Sequence, residues 1–114
     1  MNFNKYSKLT KIVIPDGVTL STTNFHNAFY NMRNIISIKI PENKITDMHN
    51  TYYYCCNLTD SPVCGDKVTN MSSTYYSCTN LTGSPVCGPR VTNMLATYSG
   101  CGNLTGSPVC GNGV

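Results

Sequence analysis

A 23-residue unit written three times in succession constrains this chain more than any other feature in it. Ile45-Thr46-Asp47-Met48 returns as Val68-Thr69-Asn70-Met71 and as Val91-Thr92-Asn93-Met94, and Ser-Pro-Val-Cys-Gly closes the units at 61–65, 84–88 and 107–111. A fixed period between about 20 and 50 residues marks a repeat array, in which each unit buries its apolar positions against its neighbours. Two diverged copies precede the three close ones. Leu9 to Pro15 matches Ile35 to Pro41 at an offset of 26, and Ile35 onward matches Leu58 onward at 23. The three extra residues are placed in the Thr/Ser-rich loop around Val18 to Thr23. The 114 residues then read as a single domain of about five rungs: 9–34, 35–57, 58–80, 81–103 and a partial 104–114. Val114 stands where Val68 and Val91 open their units, so the chain is expected to be part of a longer array.

Each unit carries the pattern Leu-x-x-Ile-x-Ile, clearest at Leu9/Ile12/Ile14 and Ile35/Ile38/Ile40. Its alternation predicts a short strand with one buried face. Stacking the strands makes a parallel sheet with Leu9, Ile35, Leu58, Leu81 and Leu104 as one internal ladder and Ile14, Ile40, Val63, Val86 and Val109 as another. Pro62, Pro85 and Pro108 enter the later strands, where proline has no N–H to give, so these are predicted short or partly polyproline-like. In the other half of the unit, Met48/Tyr52/Cys55 and Met71/Tyr75/Cys78 have the i, i+4, i+7 spacing of a short helix with one buried side, with Asp47, Asn70 or Asn93 as its cap. Phe29, Tyr52, Tyr75 and Tyr98 form an inward aromatic ladder, and Tyr30, Tyr53 and Tyr76 a second one nearer solvent. The expected fold is an α/β repeat solenoid with one short parallel strand and one helical turn per unit.

Val-Thr-Asn-Met-x-x-x-Tyr-Tyr-x-Cys-x-Asn-Leu-Thr, with Leu-Thr-x-Ile-x-Ile-Pro in the early rungs, resembles the BspA-like (Treponema-type) leucine-rich repeats of bacterial surface, protist surface and phage-associated proteins. The resemblance runs over about residues 9–114. It implies a leucine-rich-repeat solenoid acting in adhesion or protein binding, at a cell surface or on a virion, as part of a larger protein. Ser-Pro-Val-Cys-Gly departs from the family's apolar strand and puts the regularity of the sheet in doubt.

Charge narrows the function. Residues 1–44 carry Lys5, Lys8, Lys11, Arg33, Lys39 and Lys44 against Asp16 and Glu42, a net of +4, and residues 45–114 carry a net of −1. Nucleic acid is not an expected partner, because phosphate binding needs a denser basic face. No stretch reaches the roughly 20 apolar residues of a membrane span, and the first residues lack the apolar core of a secretory signal. No nucleophile–base pair, carboxylate pair or glycine-rich phosphate loop occurs, and Ser61, Ser84 and Ser107 recur without a periodic histidine, so the chain reads as non-catalytic and free of cofactors.

Seven cysteines fall mostly in two columns. Cys55, Cys78 and Cys101 are expected as buried thiols. Cys64, Cys87 and Cys110 sit at a strand end as thiols, with oxidation or an adventitious metal as the alternative. No Cys-x-x-Cys supports a zinc site. His26 and His49 share a repeat position but lack a third ligand, and are read as surface histidines. The sequons at Asn57, Asn70, Asn80 and Asn103 are read mainly as an asparagine ladder bonding the turn backbone. Two candidate contact surfaces remain for a protein or glycan ligand. One is the outward strand face with Lys11, Lys39, Asp60, Pro62, Pro85 and Pro108; the other is the tyrosine column Tyr30, Tyr53 and Tyr76. The alternative is a passive spacer or assembly repeat.

Overall fold

The computed structural model describes residues 2–106. Two short strands, β1 (Lys11–Val13) and β2 (Ser37–Lys39), pair in parallel with Lys11 opposite Ser37 and Val13 opposite Lys39, the offset of 26 read from the sequence. The sheet stops there. In the third and fourth units the corresponding segment forms no strand, and the reason lies in its composition. Proline removes a ladder donor, and the middle inward isoleucine becomes Ser61 and Ser84, both exposed.

The groups that a third strand would have paired are satisfied by side chains. Asp60 closes the free edge of β2: its carboxylate accepts the Ile38 N–H at 2.7 Å and the Ser37 hydroxyl at 3.2 Å, and lies 3.4 Å from Lys39 Nζ. One unit on, Tyr75 reaches under Val63, its hydroxyl accepting the Val63 N–H at 2.9 Å and donating to the Val63 carbonyl at 3.2 Å. Tyr98 does the same for Val86, at 2.9 and 2.6 Å. A phenol thus stands in for a neighbouring strand. Tyr75→Phe should cost about 1–3 kcal/mol, the penalty of leaving half-buried backbone groups unpaired, and urea denaturation of the two forms measures it. An equal midpoint would show that water replaces the phenol at no cost.

The predicted helical turn is corrected by the structure. Where a helix was expected, residues 25–32 and their equivalents form successive tight turns, with positive φ at Asn27 and Asn31, Asn50 and Tyr54, Ser73 and Ser77, and Ala96 and Gly100. A left-handed residue at every fourth position cannot belong to an α-helix. The backbone donors then alternate. Ala28, Tyr30 and Met32 close turns onto Phe25, Asn27 and Phe29, while Phe25, Asn27, Phe29 and Asn31 donate to Asp47, His49, Thr51 and Tyr53 of the next unit. The same alternation repeats from Met48 to Tyr54 and from Met71 to Ser77. A helix would have kept those donors for itself; the turns spend half of them on joining unit to unit. Burial still follows i, i+3, i+4, i+7, at Phe25, Ala28, Phe29 and Met32, because a four-residue turn repeats at nearly the helical spacing. Asp47, Asn70 and Asn93, expected as helix caps, instead accept the N–H two residues on through Oδ1 and begin the turn run, as Asn24 also does, and the four form parallel bridges from unit to unit.

The core lies between the two halves of each unit. Ile35, Leu58 and Leu81 are buried as the ladder predicted, whereas Leu9 at the front is exposed and Leu104 half-buried. In the second ladder Ile40 is buried, Ile14, Val63 and Val86 are half-buried, and Val109 lies outside the described residues. Phe29, Tyr52, Tyr75 and Tyr98 stack at 5.7, 4.9 and 5.6 Å between ring centres, with Phe3 added at the front at 5.1 Å. Polar side chains inside this core are paired by the same step between units. Thr51, Thr74 and Thr97 donate to the carbonyls of Phe25, Met48 and Met71, and Cys55, Cys78 and Cys101 donate to those of Phe29, Tyr52 and Tyr75.

Burial, offset in part by hydrogen bonding with the Met32 backbone, pushes the Cys55 thiol up to about 12; Cys78 moves in the same direction for the same first reason. An unfolded thiol titrates near 8.5. Between those values the unfolded chain loses a proton that the folded one keeps, so stability falls as pH rises from about 8.5 toward 12. Urea midpoints at pH 7.5 and 9.5 should show this fall, and iodoacetamide at pH 8 should label Cys55 and Cys78 far more slowly in the native protein than in the denatured one.

Candidate interaction surfaces

The sheet side and the turn side carry the two sets of candidate contact residues, and the structure treats them differently. On the sheet side Lys11 and Lys39 are exposed, but in the register of β1 and β2 they face Ser37 and Val13 rather than each other. Asp60 is half-buried and spends its carboxylate on the edge of β2 and on Lys39. Pro62, placed in an outward column by its sequence position, is buried, and Pro85 is half-buried. This corrects the outward reading. Period-2 alternation holds only for extended, paired strand, and these segments are not strand. Pro108 lies outside the described residues. Where the sheet stops, a cleft of about 130 Å³ opens, lined by Ile38, Leu58, Asp60 and the rings of Tyr52 and Tyr75 among others.

On the turn side the predicted column is assembled. Tyr30, Tyr53 and Tyr76 stack almost parallel, at 4.8 and 4.7 Å between ring centres with interplanar angles of 5 and 6°. That spacing is the rise of about 4.8 Å between neighbouring parallel backbones, so the rings follow the hydrogen-bonded turns beneath them. Tyr30 is exposed, Tyr53 and Tyr76 half-buried. Desolvation among its neighbours, then repulsion from Tyr30, Tyr76 and Tyr54, raises the Tyr53 phenol above its ordinary value. The Tyr53 hydroxyl therefore keeps its proton, able to donate and to accept.

Two neighbours of this column, Tyr54 and Arg33, were not singled out as contact residues from the sequence. Tyr54 leans across Tyr53 and Tyr76 at 5.5 and 6.3 Å, and the Arg33 guanidinium lies over Tyr54 at 5.1 Å, a cation–π distance. Four residues before Tyr30 and Tyr53, the His26 and His49 rings lie 4.5 Å apart, and His49 Nδ1 meets the Ser72 hydroxyl and carbonyl. The same repeat position holds Leu95 two units on from His49, the most exposed large apolar side chain among the described residues at 77%. The run of three consecutive tyrosines at 52–54 is the sequence signal that could have found Tyr54. The Arg33–Tyr54 contact had no signal, because it joins different positions of neighbouring units.

The surfaces offer aromatic edges, hydroxyls and few charges. Among the described residues no group of three or more His, Cys, Asp and Glu side chains is placed to hold a metal ion, and no helix is long and apolar enough to cross a membrane. The asparagine column bonds backbone at two of its members, Asn57 to the Arg33 carbonyl and Asn103 to that of Thr79, while Asn80 donates to Asn57 Oδ1 at 3.4 Å.

The sequence profile of the BspA type leucine rich repeat region matches residues 1–105, in six copies. Phe3 stacks on Phe29 and donates its N–H to Ala28, so part of a further unit precedes the five counted from Leu9. Among curated proteins and among solved structures, no significant match is found.

Proposed function

The chain belongs to the BspA-type leucine-rich repeat family, and from that premise we propose that it is a non-catalytic binding and adhesion module whose contact surface is the tyrosine side of the stack. Proteins of this family are typically surface-associated. The proposed setting is a bacterial cell surface or a phage particle, within a larger protein, with a protein or glycan as ligand. The observation that carries the reading is the in-register column of Tyr30, Tyr53 and Tyr76 with Tyr54 and Arg33 beside it. Tyrosine and arginine dominate contact energies because each offers a large, stiff surface with a polar end. The sheet side supports binding less well, since Asp60 is already engaged and Pro62 is covered.

A second reading, a passive spacer or assembly repeat, draws on the regular bonding of unit to unit. The two separate on one comparison. The wild-type chain and a Tyr30→Ser/Tyr53→Ser variant, both checked by circular dichroism, are applied to printed glycans and immobilised extracellular proteins. A binding module retains one or more spots, and the variant loses them by roughly tenfold or more, the size expected when central aromatics are removed. A spacer gives the same blank pattern for both.

A further inference from the structure

The outer tyrosine column is interrupted after Tyr76. The position after Tyr30, Tyr53 and Tyr76 is Ser99, which is exposed, and next to it stands Gly100 at φ +79°. One face of the Tyr76 ring is covered by Tyr53 at 4.7 Å; among the described residues no ring lies against the other. The turn backbone continues beneath, with Ser77 donating its N–H to the Ser99 carbonyl at 2.7 Å. The column therefore has a step in it, with the half-buried Tyr76 ring as one wall and the exposed Ser99 and Gly100 beside it.

We propose that this step is a subsite for one pyranose ring of a neutral glycan, stacked on Tyr76 as the fourth member of the column. The proposal rests on the reading of the tyrosine side as a binding surface and names the ligand chemistry there. Three features select a sugar. The next turn lies about 4.8 Å on, the rise per unit, so a ring stacked on Tyr76 sits over Ser99 where a fourth tyrosine would stand. The wall is a π face, negative at its centre, which attracts the partly positive C–H groups on the flat side of a pyranose. The surroundings are hydroxyls from Tyr76, Ser77 and Ser99, with Gly100 lying against Ser77, and these match the equatorial hydroxyls of the sugar. Arg33 is engaged over Tyr54, and Tyr76, Ser77, Ser99 and Gly100 themselves carry no charge to select an acidic sugar.

The test uses saturation-transfer NMR of the whole chain with cello-, xylo-, manno- and N-acetylchitotriose, and N-acetyltyrosinamide as the aromatic comparison. Transfer is expected to the ring C–H protons of at least one triose. Tyr76→Ala should weaken it roughly tenfold or more. Ser99→Tyr is the sharper variant, because it completes the column at an exposed position: it should abolish the transfer and raise the melting midpoint. Should Tyr76→Ala fail to fold, Ser99→Tyr alone decides. No transfer from any triose, an undiminished signal in Ser99→Tyr, or stronger binding of N-acetyltyrosinamide than of every triose would overturn the proposal. Those outcomes leave the wider binding reading standing wherever Tyr30→Ser/Tyr53→Ser still removes array binding, so the two failures are told apart.

Discussion

Gly65→Ala is expected to be among the most damaging single substitutions in the chain, costing about 3 kcal/mol or more, the top of the range for forcing atoms into packed structure. Gly65 is buried where one unit crosses the one before it. A Cβ there would lie 2.0 Å from the Glu42 carbonyl oxygen and 2.5 Å from its carbon. Both are backbone atoms of the Glu42–Lys44 turn, so no side-chain rotation relieves the clash and the units must separate. Gly17, with nothing within 4 Å of the same added atom, supplies the control, and Gly17→Ala should be nearly neutral. Thermal melting of the two variants measures the contrast. Equal midpoints would mean that the units do not approach at Gly65.

Leu81→Ala should cost about 2–5 kcal/mol, the transfer and cavity cost of removing a fully buried leucine. Leu81 is 0% exposed, while Leu9, its counterpart at the front of the ladder, is 42% exposed. Truncating Leu9 should therefore cost well under half as much, since most of its surface already meets water. A repeat array also predicts how the loss spreads. Because each unit contacts chiefly its neighbours, Leu81→Ala should loosen the flanking units first. Amide exchange should show protection falling around Cys78 and Leu104 before it falls at Ile35. Uniform loss across the chain would point to one all-or-none core.

The inward columns were legible because each is a vertical repetition. Leu58 and Leu81, Tyr52 and Tyr75, Cys55 and Cys78 recur 23 residues apart, and a residue type that recurs at the period must occupy the same environment in each unit. The stacked tyrosines were legible for the same reason. The candidate contact residues were read less well wherever they depended on backbone form. Pro62 was assigned an outward direction by counting along a strand that does not exist, and Asp60 was taken as surface when its carboxylate replaces a missing strand.

The sequence by itself determined the period, the family and the vertical register, because those follow from which residue lies above which. Only the tertiary structure decided what the backbone does between the ladders. Helix and four-residue turns bury the same positions, so the pattern at Phe25, Ala28, Phe29 and Met32 suits both. The choice lies with the N–H groups of Phe25, Asn27, Phe29 and Asn31, which bond to the next unit instead of to their own. Likewise proline marked the later strands as short or partly polyproline-like, but not that the sheet would stop at β2 and the hydroxyls of Tyr75 and Tyr98 take over its hydrogen bonds. Side-chain burial is written locally in a repeat; the destination of a backbone hydrogen bond depends on the unit stacked against it.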